Sequence, residues 1–243
     1  MKIIKLDAID STNSFLKEMA HNTPLESFTV VVAKEQTKGR GQMGTLWVSE
    51  PKKNLLCSVF VGFYNLAIDQ QVVINYAVSL ALVKTLEYYN VPKVAIKWPN
   101  DILSSNKKIC GVLVENVMHK RKIKSSIIGI GLNVNQIVFP DALQKVTSIK
   151  KEIKKNVDLD EILAKLMEQL QASISAMNQI SATNLKQEYL KYLYKKDTPT
   201  VFKNSRDVLF MGKIIGVSSL GKLQIEIEDE SIQEFGIKEV SIA

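Results

Sequence analysis

The feature that most constrains the fold is the segment of residues 68–89, in which hydrophobic residues recur at helical spacing. A helix with so many apolar positions is stable only when other elements cover it, so we predict a long, largely buried helix. Hydrophobic residues make up 46% of the 243 residues, which is enough for a packed core and excludes a disordered chain. The apolar positions of the segment are Val72, Val73, Tyr76, Ala77, Leu80, Ala81, Val83 and Leu86.

Short apolar runs, several of them rich in β-branched residues, predict strands before and after this helix. A short amphipathic helix is predicted over residues 14–20, behind several N-cap candidates at residues 10–13. We expect the last two strands to pair, because a charged turn at residues 119–122 connects them. The predicted strands are residues 2–6, 29–33, 54–63, 94–97, 109–115 and 126–133.

After residue 140 the pattern becomes helical. Asp158 and Glu161 resemble a capping box in front of an apolar stripe that runs over residues 159–174. A second helix is predicted over residues 184–194. Both helices are expected to support the core.

Residues 197–199 resemble a domain boundary, because short strands with glycine or acidic turns follow them. Such a series of strands is typical of a small β-barrel. We therefore expect two domains, residues 1–196 and residues 197–243. The strands predicted in the second domain are residues 201–202, 207–210, 212–217, 222–228 and 240–242.

Composition excludes several classes of protein. No apolar run reaches the roughly 18 residues of a membrane span, and charge interrupts the N-terminus too early for a signal peptide, so we expect a cytoplasmic protein without membrane contact. Cys57 and Cys110 lie far apart in apolar stretches, which predicts buried, reduced thiols. His21 and His119 lack neighbours at metal-ligand spacing, so no zinc site is expected.

The formal net charge of +7 favours an anionic partner without identifying it. The lysines are dispersed, and aromatic residues are not interleaved with them as in a platform that stacks nucleic-acid bases. A local basic site for an anionic small substrate explains the charge equally well. We expect no nucleic-acid partner, whereas a nucleic-acid-binding module would show salt-sensitive affinity for DNA or RNA.

A glycine loop, Gly-Arg-Gly-Gln-Met-Gly at residues 39–44, follows the second predicted strand. Glycines permit a close approach of a ligand to the main chain, and the charges of Lys38 and Arg40 suit a phosphate or a carboxylate. The loop lacks the Gly-Lys-Ser/Thr ending of a Walker A motif and the glycine spacing of a dinucleotide-binding motif. Taken alone, the loop fits a surface hairpin equally well.

A second motif, Lys-Trp-Pro-Asn-Asp, occupies residues 97–101. In one interpretation it is a simple strand-ending turn with a packed tryptophan. In the other, Asp101 holds a magnesium ion between phosphates. Lys108 begins the next apolar strand, where its side chain either points into a cleft between strands or extends to solvent.

Taken in this order, these motifs resemble the catalytic domain of biotin–protein ligases, the biotin–[acetyl-CoA-carboxylase] ligase family. The resemblance spans residues 10–135 and extends more loosely to the C-terminal strands. It implies an α+β fold, with a mixed sheet flanked by helices as in class II aminoacyl-tRNA synthetases and a small C-terminal SH3-like β-barrel. The matching segments are residues 10–13, 35–41, 47–49, 54–55, 97–101, 108–115 and 129–135.

The resemblance implies ATP-dependent attachment of biotin to a lysine of a biotin carboxyl carrier protein, through biotinyl-5′-adenylate. It implies Lys108 and Arg40 as catalytic residues and Asp101 as the residue that holds Mg²⁺. The implied biotin contacts are Ser11, Thr12, Asn13, Gln36, Gly39, Arg40, Gly41, Gln42, Lys108, Gly111 and Gly129. The implied ATP contacts are Arg40, Trp47, Lys97, Asn100, Asp101, Lys108 and Asn133.

Family members that also repress transcription carry a helix-turn-helix domain before the ligase domain. Here the Ser-Thr-Asn motif begins at Ser11, so we expect a monofunctional ligase. Dimerisation through a sheet edge stays open. The chain departs from the family at Gln42, where the common loop has a basic residue. A neutral amide cannot neutralise a phosphate, so we expect looser retention of the adenylate.

A lipoate ligase or an octanoyl transferase is the nearest alternative enzyme. Octanoyl transfer requires a reactive cysteine, and Cys110 lies close to Lys108. An apolar strand, however, is a poor environment for a thiolate. The glycine loop together with the motif at residues 97–101 favours biotin.

Overall fold

A computed structural model describes residues 1–179 and 182–243, which form two β-sheets and five α-helices. The strands are β1 (Lys2–Ile9), β2 (Thr29–Gln36), β3 (Leu55–Ala67), β4 (Val94–Lys97), β5 (Asp101–Ser104), β6 (Lys107–His119), β7 (Lys122–Leu132), β8 (Pro199–Asn204), β9 (Leu209–Val217), β10 (Leu223–Ile227), β11 (Ile232–Phe235) and β12 (Val240–Ile242). The helices are α1 (Thr12–Asn22), α2 (Gln71–Tyr88), α3 (Ile149–Ile153), α4 (Leu159–Gln179) and α5 (Ala182–Lys191).

The larger sheet is mixed and has the strand order β1-β2-β3-β7-β6-β5-β4. Strand β1 pairs in parallel with β2 across the helix α1, and the other neighbours are antiparallel. Strands β3, β7 and β6 form its centre. The predicted α+β fold with a mixed sheet flanked by helices is confirmed.

Helix α2 is the centre of the hydrophobic core, as its apolar pattern predicts. Ile74, Ala77, Leu82 and Leu86 are fully buried, and the helix packs against α4, α5 and β4. Helix α2 begins at Gln71, because a 3₁₀ turn takes up the residues before it. The α4 stripe completes the same core from the other side.

The hairpin of β6 and β7 is confirmed, and both strands are longer than predicted. Strand β5 was missed, because Asn100 and Asp101 were interpreted as a turn. The turn lies one residue earlier, and Lys97 pairs with Asp101 as β4 and β5 form a hairpin. This hairpin brings the motif at residues 97–101 to the edge of the central strands.

The C-terminal strands form a separate antiparallel sheet with the order β11-β10-β9-β8-β12. The predicted strands at residues 207–210 and 212–217 are one continuous strand, β9. Strand β11 was missed because it is only four residues long, and two of its side chains are polar. This sheet contacts the larger one through Trp98, whose indole N–H donates to the carbonyl of Gly221 at 2.9 Å. The division into two domains at residue 197 stays our interpretation.

Within the described residues, no helix is long and apolar enough to cross a membrane.

Helix α4 should depend on its N-cap. The carboxylate of Asp158 accepts hydrogen bonds from the amides of Asp160 and Glu161 at 2.8 and 3.1 Å. Asp158→Ala removes both acceptors, so we expect it to lower the free energy of unfolding by about 1 kcal/mol in urea titrations. Asp158→Asn keeps an acceptor and is the matched control. Equal stability of Asp158→Ala and the unchanged chain would contradict this role.

Candidate active site

A cleft of about 410 Å³ opens between the centre of the larger sheet and the C-terminal strands. Most of the residues predicted to bind substrate line it. They are Ser11, Thr12, Asn13, Gln36, Arg40, Gly41, Gln42, Trp47, Lys97, Asn100, Asp101, Lys108, Gly111 and Gly129. The C-terminal sheet adds Phe202, Lys238 and Ser241 to the walls, so both parts of the chain build the site.

The charged centre of the cleft is an ion pair between Lys108 and Asp101. The ammonium group lies 2.7 Å from the carboxylate, and the Lys108 and Asp101 side chains are 34% and 23% exposed, respectively. The antiparallel pairing of β5 with β6 brings the two residues together. Lys108 therefore lies in the cleft and does not extend into bulk solvent.

The indole of Trp47 lies flat on the glycines of the central strands. A Cβ atom at Gly131 would come within 2.5 Å of the ring, and one at Gly111 within 2.9 Å. The ammonium of Lys108 lies 5.5 Å from the ring centroid, within the range of a cation–π contact. The buried indole N–H has no hydrogen-bond partner among the described residues. Gly131 was not among the predicted site residues.

A buried polar cluster forms one end of the cleft, where α1 begins. The carbonyl oxygen of the Gln36 side chain accepts from the amide and the hydroxyl of Thr12 at 2.8 and 3.0 Å. The hydroxyl of Ser58 lies 2.8 Å from the Thr12 hydroxyl and 2.5 Å from the Asn13 side-chain oxygen. Only a glycine fits at Gly129, because a Cβ there would lie 2.3 Å from Asn13.

Ser58 was missed by the sequence analysis, although it has a recognisable signal. It is a single polar residue within an apolar strand, and a fully buried hydroxyl requires a hydrogen-bond partner. The register pairs Ser58 with Gly129, which puts both residues under Asn13.

Glu115 was also missed, since it was interpreted only as the end of a strand. It accepts hydrogen bonds from Asn13 at 2.9 Å and from Arg40 at 3.1 Å, and Lys17 lies 3.5 Å away. Burial disfavours its charged form, but the Asn13 hydrogen bond and the Arg40 charge together hold the pKa of Glu115 below its ordinary value. Glu115 therefore stays ionised and fixes the position of Arg40.

Two of the predicted contacts are absent from the walls of the cleft. Asn133 is 2% exposed, and its side-chain amide donates to the carbonyl of Thr147 at 3.1 Å. Its buried side-chain oxygen has no hydrogen-bond partner among the described residues, so its contact with ATP stays a prediction. Gly39 lies behind the loop, where its carbonyl accepts from the amide of Trp47 at 2.9 Å. Its role is to allow the close approach of Trp47, because a Cβ would lie 2.5 Å from the Trp47 carbonyl.

The acidic residues near the cleft bear on the predicted magnesium site. The described residues contain no group of three or more His, Cys, Asp or Glu side chains that could hold a metal ion. Among the described residues that line the cleft, Asp101 is the one carboxylate. Mg²⁺ commonly binds through one or two carboxylates together with substrate phosphates and water, so a single carboxylate fits an ion that arrives with ATP.

Cys110 offers no nucleophile for acyl transfer. Its side chain is fully buried, and burial raises the pKa of the thiol well above its ordinary value although the nearby Lys108 charge lowers it in part. Burial also raises the pKa of Cys57 to about 12. Both thiols are therefore protonated near neutral pH, which argues against an octanoyl transferase.

Residues 6–133, which carry the polar cluster, the glycine loop and Lys108, match the model of the biotin/lipoate A/B protein ligase family. The chain belongs to this family. The bifunctional ligase/repressor BirA of Bacillus spizizenii is 29% identical over 98% of this chain and 71% of that protein. The biotin–[acetyl-CoA-carboxylase] ligase of Mycobacterium tuberculosis is 29% identical over 68% of this chain and 60% of that protein.

Among solved structures, the biotin protein ligase of Aquifex aeolicus in complex with biotin and ATP superposes with a TM-score of 0.77. It is 29% identical, and the match covers 100% of this chain and 98% of that one. The shared fold therefore includes the C-terminal sheet.

Gly131→Ala should displace Trp47, because the added Cβ would lie 2.5 Å from the ring. We expect red-shifted tryptophan emission in a Trp98→Phe background, where Trp47 is the remaining tryptophan, and a loss of about 1–3 kcal/mol in the free energy of unfolding. Gly62→Ala is the matched control, since its Cβ would meet no described atom closer than 3.9 Å. Unchanged emission in Gly131→Ala would show that the indole does not lie on this strand.

Proposed function

We propose that the chain is a biotin–protein ligase, which uses ATP to form biotinyl-5′-adenylate and then transfers biotin to a lysine of a carrier protein. The observation that carries this proposal is one cleft that contains the Lys108–Asp101 pair, the Trp47 platform and the buried polar cluster. The name of the M. tuberculosis relative supports biotin over lipoate, and the A. aeolicus structure contains biotin and ATP. The name of the M. tuberculosis relative supports the carrier domain of an acetyl-CoA carboxylase as partner.

The polar cluster suits the neutral ring system of biotin. Thr12, Asn13 and Gln36 offer donors and acceptors without net charge, which fits a urea group. Gly111 and Gly129 have no side chains, so Trp47 and Asn13 lie close to the backbone, and both glycines line the cleft in which the fused rings would lie. Ser58 and Glu115 hold the cluster in position from below.

In the first step, a carboxylate oxygen of biotin attacks the α-phosphorus of ATP, and the bond from that phosphorus to the pyrophosphate oxygen breaks. Both reactants are anionic, so the reaction needs cations to offset their repulsion, each by about 1–4 kcal/mol at 4 Å. Lys108 and Arg40 are the cations we assign. Negative charge develops at the phosphate oxygens, so these groups stabilise the transition state more than the bound substrates.

Both cations are held by carboxylates before substrate binds, since Asp101 pairs with Lys108 and Glu115 with Arg40. We assign Lys108 to the biotin carboxylate and the α-phosphate. Mg²⁺, when it enters with ATP, supplies a further positive charge at the phosphates, and Asp101 is the residue that would hold it.

In the second step, the neutral amine of the carrier lysine attacks the acyl carbon, the bond to AMP breaks, and the nitrogen loses a proton. With a pKa near 10.4, only about one lysine amine in 2,500 is neutral at pH 7, so the adenylate must survive long enough to meet it. Exclusion of water by Trp47 and the glycine loop serves this purpose.

Gln42 leaves the glycine loop with less positive charge than is common in the family. The C-terminal sheet supplies a cation nearby, because the ammonium of Lys238 donates to the carbonyl of Met43 at 3.4 Å and lines the cleft. We therefore assign to Lys238 a share in closing the loop over the adenylate.

The central test is pyrophosphate release, which we expect with biotin and not with lipoate. Lys108→Ala should lower the rate by about 10²–10³-fold, because a cation at the reacting oxygens is lost. Lys107→Ala is the matched control, since its exposed side chain lies outside the cleft and its rate should stay close to that of the unchanged chain. A near-normal rate in Lys108→Ala would refute the assignment, and release with lipoate alone would refute the specificity.

The proposed lid predicts protection from trypsin, which cleaves after Lys38 and Arg40. We expect biotin together with ATP to slow cleavage in the loop, because the ordered loop fits a protease poorly. Cleavage after Lys120 and Arg121 in the β6–β7 turn is the internal control and should not change. Loop cleavage at the same rate with and without both substrates would rule out ordering of the lid.

A further inference from the structure

Beside the catalytic cleft lies a second hollow, which we call the amide crevice. Helix α2 forms one wall with Gln71, Asn75 and Ser79, which are spaced four residues apart and so share one helix face. Strand β6 and the turn after β4 form the other wall, with Asn116 and Asn100. The crevice has two lobes, of about 120 and 200 Å³, and the second extends to the C-terminal sheet.

The first lobe of the crevice is mostly polar, the second is lined mostly by apolar residues, and both are uncharged. Charged residues make up 23% of the chain, yet none of those that the structure describes lines either lobe. Its polar groups are side-chain amides and hydroxyls, each able to donate and to accept. This chemistry does not fit phosphate or pyrophosphate, which would require cations of the kind that the catalytic cleft provides. It fits a neutral ligand that offers donors and acceptors in equal measure, as a peptide backbone does.

Several of these groups have no partner inside the protein. Ser79 and Tyr76 are each 3% exposed, and the buried hydroxyl of Tyr76 has no hydrogen-bond partner among the described residues. Gln71 and Asn75 are exposed, and their side chains form no hydrogen bond within residues 1–179 and 182–243, so both amides are open to a ligand. Burial of an unpaired hydroxyl is costly, and the other residues of α2 up to Val83 are apolar apart from Tyr76. A polar stripe on such a helix therefore points to a partner from outside the chain.

The crevice is continuous with the reaction centre. Gln42, Pro99 and Asn100 line both hollows, and the residue after Asn100 is Asp101, which pairs with Lys108. A peptide that lies in the crevice thus passes the mouth of the cleft, where one of its side chains can turn toward the adenylate.

We propose that the amide crevice binds the backbone of the carrier-protein segment that flanks the target lysine. This inference rests on the proposed ligase function and assigns the acceptor subsite of the second step. The crevice holds the segment by hydrogen bonds from Gln71, Asn75 and Ser79, and the target lysine extends into the cleft.

The test compares two acceptors of biotin from the same adenylate. The first is the biotin-free carrier domain of an acetyl-CoA carboxylase, and the second is hydroxylamine, which is too small to use the crevice. We expect the double variant Gln71→Ala/Asn75→Ala to raise the KM for the carrier domain about tenfold, through the loss of two hydrogen bonds. Pyrophosphate release and transfer to hydroxylamine should not change.

Two further variants complete the design. Ser79→Ala removes only one buried hydroxyl and should raise the same KM by a smaller factor. Gln187→Ala, an exposed amide on α5 outside both hollows, is the matched control and should leave the KM unchanged. Both crevice variants should fold, because alanine favours helices.

An unchanged KM for the carrier domain in both crevice variants would overturn the proposal and leave the crevice as a solvent-filled hollow. An equal loss with hydroxylamine would also overturn it, since the residues would then act on the adenylate. Failure of the ligase function itself has a different signature, because the unchanged chain would then release no pyrophosphate with biotin.

Discussion

The site depends on a bare patch in the middle of the larger sheet. Strands β3, β7 and β6 are aligned so that Ser58 pairs with Gly129 and Gly111 pairs with Gly131. Three of these four residues have no side chain, and the fourth has a short hydroxyl. Asn13 and Trp47 occupy the space so created, and added Cβ atoms would lie within 2.3–2.9 Å of them. Other parts of a sheet present a layer of side chains at this level. The absence of that layer lets Asn13 and Trp47 lie against the backbone, and by our proposal the rings of biotin lie beside them.

The strands of the larger sheet also position the charged side chains of the cleft. Each of the two proposed catalytic cations pairs with a carboxylate. Arg40 pairs with Glu115 of β6, and Lys108 pairs with Asp101 at the start of β5. These pairs hold long, flexible side chains in place before the anionic substrates arrive, which lowers the reorganisation that the reaction requires. The carboxylates do not cancel the function of the cations, because a triphosphate carries more charge than either of them and can compete for the same donors. The low pKa of Glu115 keeps this arrangement intact near neutral pH.

The sequence predicted those features that depend on local periodicity, and it missed those that depend on register. The pattern of residues 68–89 predicted α2, and the charged turn between two apolar runs predicted the β6–β7 hairpin, because both signals are contained in a short segment. Ser58 and Glu115 escaped notice, since their importance arises only when β3, β7 and β6 align beneath Asn13. Strand β5 escaped because a turn-forming Asn-Asp pair stands at its start. Asn133 stays a prediction, because its side-chain amide donates to Thr147 while its buried side-chain oxygen has no partner among the described residues.

The location of Gln42 offers a physical reason for a neutral side chain at this position. Gln42 lines the catalytic cleft and also both lobes of the amide crevice, so it stands where the two hollows meet. A basic side chain there would place a charge beside a group of unpaired amides and hydroxyls that suit a neutral backbone. An amide at this point extends the chemistry of the crevice up to the loop, while Lys238 from the C-terminal sheet brings positive charge to the same loop from the other side. The site therefore has a charged part and a neutral part: cations lie where phosphate reacts, and amides lie where we propose that the acceptor peptide binds.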